Sequence, residues 1–445
     1  MKQFIRCKAG LFTVCLVVIM AICISGCMPS WQVSSQQDGD DSQPQTKTLT
    51  FMLNSPEMTE EYNELVQAYS RHRSDIVIDM EIRQNDYIQV LKTKINAGTV
   101  PDLFLTSAYN DNKVYKNYVY NLANEDFIKE IEPAMLAGVT VGDSVTGVPL
   151  LVQSHSFIYN KKLFEQAGIK SLPTTLDEYE AVCRQLKAAG ITPFSTGFAD
   201  WWVLPQIFYP SSSDIAGGDY GAFFAGIKSG SKSVYDFEEI SFALDVLDLI
   251  TRYGGDAPMQ GGFDQQCQDF AAGKVAIIHQ GIWAEQTILD LAPDIELGYL
   301  YAPRRDGKGV IAVDSNLTFR VYKDSEMLDE TLAFLDWLFT SEYGRSWIPE
   351  RVKQISPLID AKMPDTQLSV ETGKAICEKK TSPWWIFSGP ENIEQPLGIA
   401  LQDYVAGRST RAETLRQLNR LFGGNGAAAP TESALQKAES EEADS

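Results

Sequence analysis

Residues 48–82 read TLTFMLNSPEMTEEYNELVQAYSRHRSDIVIDMEI, and the order of their periodicities decides the fold class. Residues 48–53 form an apolar-rich run of strand length. Tyr62, Leu65, Val66 and Tyr69 follow at a spacing that puts four apolar side chains on one helical face. Ile76, Ile78, Met80 and Ile82 then recur at every second position, as in a strand with one buried face. Strand, helix, strand is a βαβ unit, in which a crossover helix joins parallel strands. Further along, a helix over 86–97 stops at Gly98, and 102–105 is the next strand. Thr175-Leu176-Asp177-Glu178 is a capping box opening a helix whose core face is Leu176, Tyr179, Val182 and Leu186, closed by Gly190. Helices are also expected at 239–252, 328–338 and 411–421. Strands alternating with helices predict α/β lobes with largely parallel sheets, whose ligands sit at the carboxyl ends of the strands.

Toward the N-terminus the chain changes character. Lys2, Arg6 and Lys8 precede an apolar run over 11–24, which closes in Ile24-Ser25-Gly26-Cys27. That run is too short for a spanning helix of about 20 residues. Charged start, apolar centre and small-small-Cys end resemble a bacterial lipoprotein signal. Residues 1–26 are then expected to be removed and Cys27 lipidated. Two or three acyl chains, at ~0.8 kcal/mol per buried methylene, would hold the protein on the extracytoplasmic face of the cell membrane. Residues 27–47 are polar enough to be a flexible tether, and 423–445 read as a disordered acidic tail.

The body between these ends is globular: 44% of the 445 residues are hydrophobic and 11% aromatic, enough for two or three domains with sizeable cores. The net charge is −21, or about −24 once Lys2, Arg6 and Lys8 leave with the signal, a balance that repels phosphate backbones and excludes nucleic acid as a partner. Of seven cysteines, Cys7, Cys15, Cys23 and Cys27 belong to the signal region. The remaining Cys183, Cys267 and Cys377 give no disulfide framework.

Four stretches resemble the extracellular solute-binding proteins of sugar-importing ABC transporters, the group that includes maltose-binding and multiple-sugar-binding proteins. They are Ala97-Gly98-Thr99-Val100-Pro101-Asp102-Leu103; Gly147-Val148-Pro149-Leu150 leading to Tyr159-Asn160-Lys161-Lys162-Leu163-Phe164; Phe270-Ala271-Ala272-Gly273-Lys274-Val275-Ala276 leading to Gly281-Ile282-Trp283-Ala284; and Val405-Ala406-Gly407-Arg408-Ser409-Thr410. Each is weak alone, but together they keep the family's order. The resemblance implies a two-lobed, type II periplasmic-binding-protein-like α/β fold with a hinge and an interlobe ligand cleft. The N-lobe would comprise 48–151 plus 302–340 and the C-lobe 152–301 plus 341–422.

Sugars offer C–H patches on a ring face and hydroxyls around the rim, so their sites need aromatic planes and planar polar groups. By resemblance, Trp283 matches a sugar-stacking tryptophan, with burial in the core as its competing role. Gln153 takes the position where maltose-binding relatives carry a ligand-binding Glu; it can equally serve as a hinge hydrogen-bonder. Asn54, Tyr109 and Asn110 lie just beyond strands, where relatives place polar contacts, although Asn54-Ser55-Pro56 is also good turn chemistry. Asp200, Trp201 and Trp202 follow a run that leads to C-lobe cleft residues in relatives. Trp384 with Trp385 is a third aromatic candidate that can instead pack under a loop. Glu394 and Gln395 fall where maltose-binding relatives have aromatic cleft residues, a departure that argues against maltose itself.

Enzyme signatures are sparse. His72, His155 and His279 are isolated, with no HExxH, no CxxC pair, no Gly-x-Ser-x-Gly elbow and no phosphate-binding loop, so neither a metal nor another cofactor is expected. A glycosidase pair of carboxylates could still hide among 59 acids. The resemblance implies a monomeric, lipid-anchored binder of a neutral sugar or oligosaccharide that serves an ABC permease. The alternatives are a sensory binding protein for a receptor kinase and a cell-surface glycoside hydrolase.

Overall fold

The computed structural model describes residues 46–109, 111–255, 257–315 and 317–424. Cys27 and the segment expected to be its signal, Asn110 and the residues beyond 424 lie outside the described residues. Strand Lys47–Leu53 runs parallel to Ile76–Ile82 along its whole length, Lys47 opposite Ile76 and Leu53 opposite Ile82. Lys47, expected at the end of the tether, is therefore already part of the sheet. The crossover helix Thr59–His72 buries Tyr62, Leu65, Ala68 and Tyr69, while Val66 is only partly covered. Leu103–Thr106 adds a third parallel strand, and Thr318–Val321 and Val148–Pro149 complete five strands. Asp102 pins this sheet: its Oδ2 accepts from Thr50 N and Thr50 Oγ1, both at 2.7 Å, and its Oδ1 accepts from Ser325 Oγ at 2.5 Å.

The second lobe is built around Gln153–Asn160, a strand buried at all eight positions. Such a continuous run tells of a central strand covered on both faces. It pairs antiparallel with Val275–Gly281, Leu297–Leu300 and Ile311–Asp314, whereas Thr192–Ser195 and Thr381–Ser382 add parallel edges. The expectation of largely parallel sheets thus fails for this lobe. For Ile311–Asp314 the physical reason is the hinge: the chain enters along Gln153–Asn160 and returns to the first lobe along Ile311–Asp314, so the two run in opposite directions. Helices at Leu176–Ala188, Glu238–Tyr253, Leu328–Thr340 and Arg411–Leu421 occupy the expected positions within a residue or two at each end.

The crossings between lobes differ from the expected boundaries in two places. The second crossing was expected at residue 302, but Ala302 lies in the core of the second lobe and Ile311–Asp314 pairs with Gln153, Ser154 and His155. The crossing follows Asp314, where Leu150 N donates to Leu317 O at 2.8 Å and Ser315 Oγ to Leu151 O at 3.0 Å. Nor does the first lobe end at 340. Ser341 breaks the helix pattern only to cap another helix, Glu342–Ser346, whose continuation buries Trp347, Ile348, Val352 and Leu358 in the first lobe's core. Trp347 lies 6.1 Å from the ring of Tyr62 on the crossover helix.

Candidate functional site

Where the lobes face each other, a cleft of about 1100 Å³, partly open to solvent, is lined from both sides. From the first lobe come Asn54 and Glu57 after strand Lys47–Leu53, Gln84 and Asn85 after Ile76–Ile82, and Ser107 and Asp111 after Leu103–Thr106. Three strand carboxyl ends therefore converge on one space, where parallel strands gather ligands. The second lobe contributes Trp201, Trp202, Phe263, Trp283 and Trp384, with Gln153 and Leu317 at the hinge.

The aromatic wall is fixed from behind. Trp283 Nε1 donates to Gln280 Oε1 at 2.9 Å, Gln280 Nε2 to Gln266 Oε1 at 2.7 Å, and Gln266 Nε2 to Ser195 O at 2.7 Å. Trp202 meets Trp283 edge-on at 6.4 Å and Phe263 at 6.0 Å, and Trp384 meets Trp283 at 6.5 Å. Such a chain of rings presents several planes at different angles, which suits stacking on successive sugar rings. Gly398 makes room for the neighbouring Trp201: a Cβ there would stand 2.3 Å from Trp201 O.

The polar side of the cleft is acidic. None of the described lining residues is Lys, Arg or His, while Glu57, Asp111 and Glu394 all line it. Burial pushes Glu57 up to about 7, opposed by the Ser55 hydroxyl and reinforced by Glu61 and Asp264. Burial also raises Asp111 to about 6, against the pull of Arg320, and Glu394 to about 8, with Asp111 adding to it. At the edges, polar contacts join the lobes: Asn85 Nδ2 to Asp200 Oδ1 at 3.2 Å, Gln89 Nε2 to Gln395 Oε1 at 2.7 Å, Lys92 Nζ to Asn392 Oδ1 at 2.8 Å and Lys353 Nζ to Gln286 Oε1 at 2.7 Å. Among the described residues no group of three or more His, Cys, Asp or Glu is arranged to hold a metal ion.

Residues 55–345 match the model of the bacterial extracellular solute-binding protein family. The chain belongs to that family. Among the relatives of this solute-binding protein, the multiple sugar-binding protein of Streptococcus mutans is 23% identical, the alignment covering 75% of this chain and 79% of that one. The melibiose/raffinose/stachyose-binding protein MelE of Bacillus subtilis is 22% identical over 68% of this chain and 72% of its own. A Bacillus licheniformis sugar transporter structure in complex with stachyose superposes with a TM-score of 0.72 at 18% identity, covering 85% of this chain and 99% of that one. The two-lobed, periplasmic-binding-protein-like fold is thereby shared.

Of the residues singled out in this solute-binding protein's sequence, Asn54, Gln153, Trp201, Trp202, Trp283 and Trp384 come together on the cleft. The tryptophan pair divides: Trp384 lines the cleft, whereas Trp385 donates its Nε1 to Tyr209 O at 2.7 Å and stacks on Tyr220 in the second lobe's core. Asp200 and Tyr109 stand apart from the lining. Asp200 is a brace, its Oδ2 accepting from Phe263 N at 2.7 Å while Oδ1 reaches Asn85. Tyr109 turns toward the hinge, its hydroxyl 3.3 Å from both carboxylate oxygens of Asp314. Glu57, Asp111, Gln206 and Phe263 line the cleft without having been singled out. Glu57 had a readable signal, a carboxylate in the first turn after a strand, but 59 acids gave no reason to prefer it.

Proposed function

We propose that this solute-binding protein captures a sugar or oligosaccharide between its lobes and passes it, uncleaved, to an ABC permease, while Cys27 tethers it by lipid to the extracytoplasmic face of the membrane. The observation that carries this reading is the cleft itself. Aromatic planes at several angles face amide and carboxylate groups from the other lobe, which is the chemistry of a sugar's faces and rim. Relatives named for multiple sugars and for melibiose, raffinose and stachyose support it.

Closure follows from ligand contact with both lobes. The polar contacts at the cleft edge are mostly exposed, and such hydrogen bonds contribute only about 0.5 to 1.5 kcal/mol each. A ligand bridging the walls adds differential affinity for the closed form and shifts the population toward it. In a thermal-shift screen including raffinose and stachyose, the true ligand at ~100 times its Kd raises stability by ~2.7 kcal/mol. Chromatography after prolonged incubation should recover it intact. A screen in which no glycan stabilises the protein, or in which the bound glycan is hydrolysed, defeats the reading.

A further inference from the structure

The acids in the cleft differ in what surrounds them. Asp111 has cations nearby: Arg320 behind it, fully buried and bonded to Thr106, Thr146, Asn112 and Ser107 O, and Lys92 in the adjoining recess. Glu57 lies on a wall where no described lining residue is Lys, Arg or His. Glu61 on its own lobe and Asp264 from the opposite lobe add like charge to it, so closing the cleft brings carboxylates together. Asp264 follows Phe263, whose ring packs beside Trp202, and Trp202 meets Trp283. The cleft thus combines Glu57, with no Lys, Arg or His in the described lining, with aromatic rings. A separate observation points to a donor-rich occupant: Gln206 lines the cleft at 7% exposure, and its Oε1 has no partner among the described residues.

We propose that the ligand is an amino sugar, and that Glu57, which lines the cleft together with Phe263, Trp202 and Trp283, holds its protonated amine. The inference rests on the sugar-binding reading and specifies its ligand class. An ammonium supplies three hydrogen-bond donors and a full positive charge, and it is attracted to ring faces as well as to carboxylates. A hydroxyl in the same place donates one hydrogen bond but supplies no charge to hold Glu57 ionised against the burial that raises it to about 7. A uronate adds negative charge. Ligand charge is therefore selected by the cleft, independently of the ring stacking that any sugar can satisfy.

Calorimetric titration at pH 7 of length-matched trimers tests this: glucosamine, N-acetylglucosamine and glucose oligomers, with trigalacturonate as the acidic member. The glucosamine trimer should bind at least tenfold more tightly than the two neutral trimers, and trigalacturonate should not bind. Glu57→Gln should erase that preference, bringing the glucosamine trimer to within threefold of the neutral trimers measured on the same variant. Neutral trimers binding as tightly as the amine overturn the amino-sugar inference and leave the sugar-binding reading standing. So does a Glu57→Gln variant that retains the preference. If no glycan binds, including raffinose and stachyose, the sugar-binding reading falls and takes this inference with it.

Discussion

Gly281 and Trp283 share one volume: a Cβ on Gly281 would stand 2.1 Å from the Trp283 ring, so the missing side chain of one is the seat of the other. Gly281 ends the strand Val275–Gly281 opposite His155, and the indole folds back over it toward the cleft. Gly281→Ala is expected to expel the ring without touching any ligand-contacting atom, and affinity for the cognate sugar should fall about tenfold. Trp283→Ala should lose stacking of about 1 to 2 kcal/mol, roughly 5- to 30-fold in Kd. Combining them should cost no more than the larger single effect, since both remove the same ring. Additive losses by titration calorimetry would separate the two residues.

The cleft carboxyl groups predict that closure depends on pH. Glu57 and Glu394 are raised from the ordinary 4.5 to about 7 and about 8 by burial in the closed cleft, so the closed form binds more protons than an opened one in which they are solvated. Their contribution to closure is complete below about 4.5 and is lost as pH rises through 7 to 8. The ligand-free protein should therefore show a larger radius of gyration at pH 9 than at pH 6 by solution scattering. The double variant Glu57→Gln, Glu394→Gln should flatten that dependence. A wild-type radius unchanged over this range contradicts the assignment.

The sequence disclosed the alternating architecture because period two and helical spacing are local properties, and residues 48–82 display both. It also offered Trp202, Trp283 and Trp384 as cleft candidates, because tryptophan is rare and Trp283 sits in a recognisable motif. What it could not disclose is which of several equivalent residues face one another after folding. Tyr109 and Asp200 are polar residues in loops that follow strands, as Asn54 is, yet both are spent on hinge and loop contacts. The lobe boundary at 340 was misplaced for a related reason: Ser341 reads as a stop, and only the packing of Trp347 beside Tyr62 reveals that the first lobe continues.

Behind the aromatic wall, His155 and His279 are buried with ring centroids 5.4 Å apart. Burial lowers His279 to about 3 and holds His155 well below the ordinary 6.5. For a depressed histidine, stability is fully present above 6.5 and lost as pH falls toward the folded value, because the unfolded chain takes up protons that the folded one refuses. His279→Phe removes one such group while keeping a flat ring against Phe157 at 4.9 Å. The midpoint of acid unfolding, followed by circular dichroism, should move to lower pH. An unchanged or higher midpoint would show that protonation of His279 does not contribute.

The proposed tether makes a prediction independent of the cleft. Cys27→Ser should abolish incorporation of labelled fatty acid and release the protein from the membrane fraction, with ligand affinity of the purified variant unchanged. Continued acylation of that variant would refute the assignment of Cys27.

Tyr109 offers a test of hinge against ligand contact. Its backbone is left-handed at φ 58°, its N donates to Gly138 O at 2.7 Å, and its hydroxyl faces Asp314. Asp314 in turn accepts from Ser315 N at 2.8 Å and from Trp384 N at 3.0 Å, so one carboxylate links the first lobe, a hinge crossing and an aromatic residue of the cleft. Tyr109→Phe deletes only the hydroxyl. If Tyr109 holds the hinge, the variant should keep the contacts that discriminate between sugars, so all ligands weaken together by no more than about fivefold, the ~1 kcal/mol of one hydrogen bond. Closure should also change in the ligand-free protein, visible as an altered radius of gyration. Loss of affinity for one sugar but not for another would instead place the Tyr109 hydroxyl on the ligand.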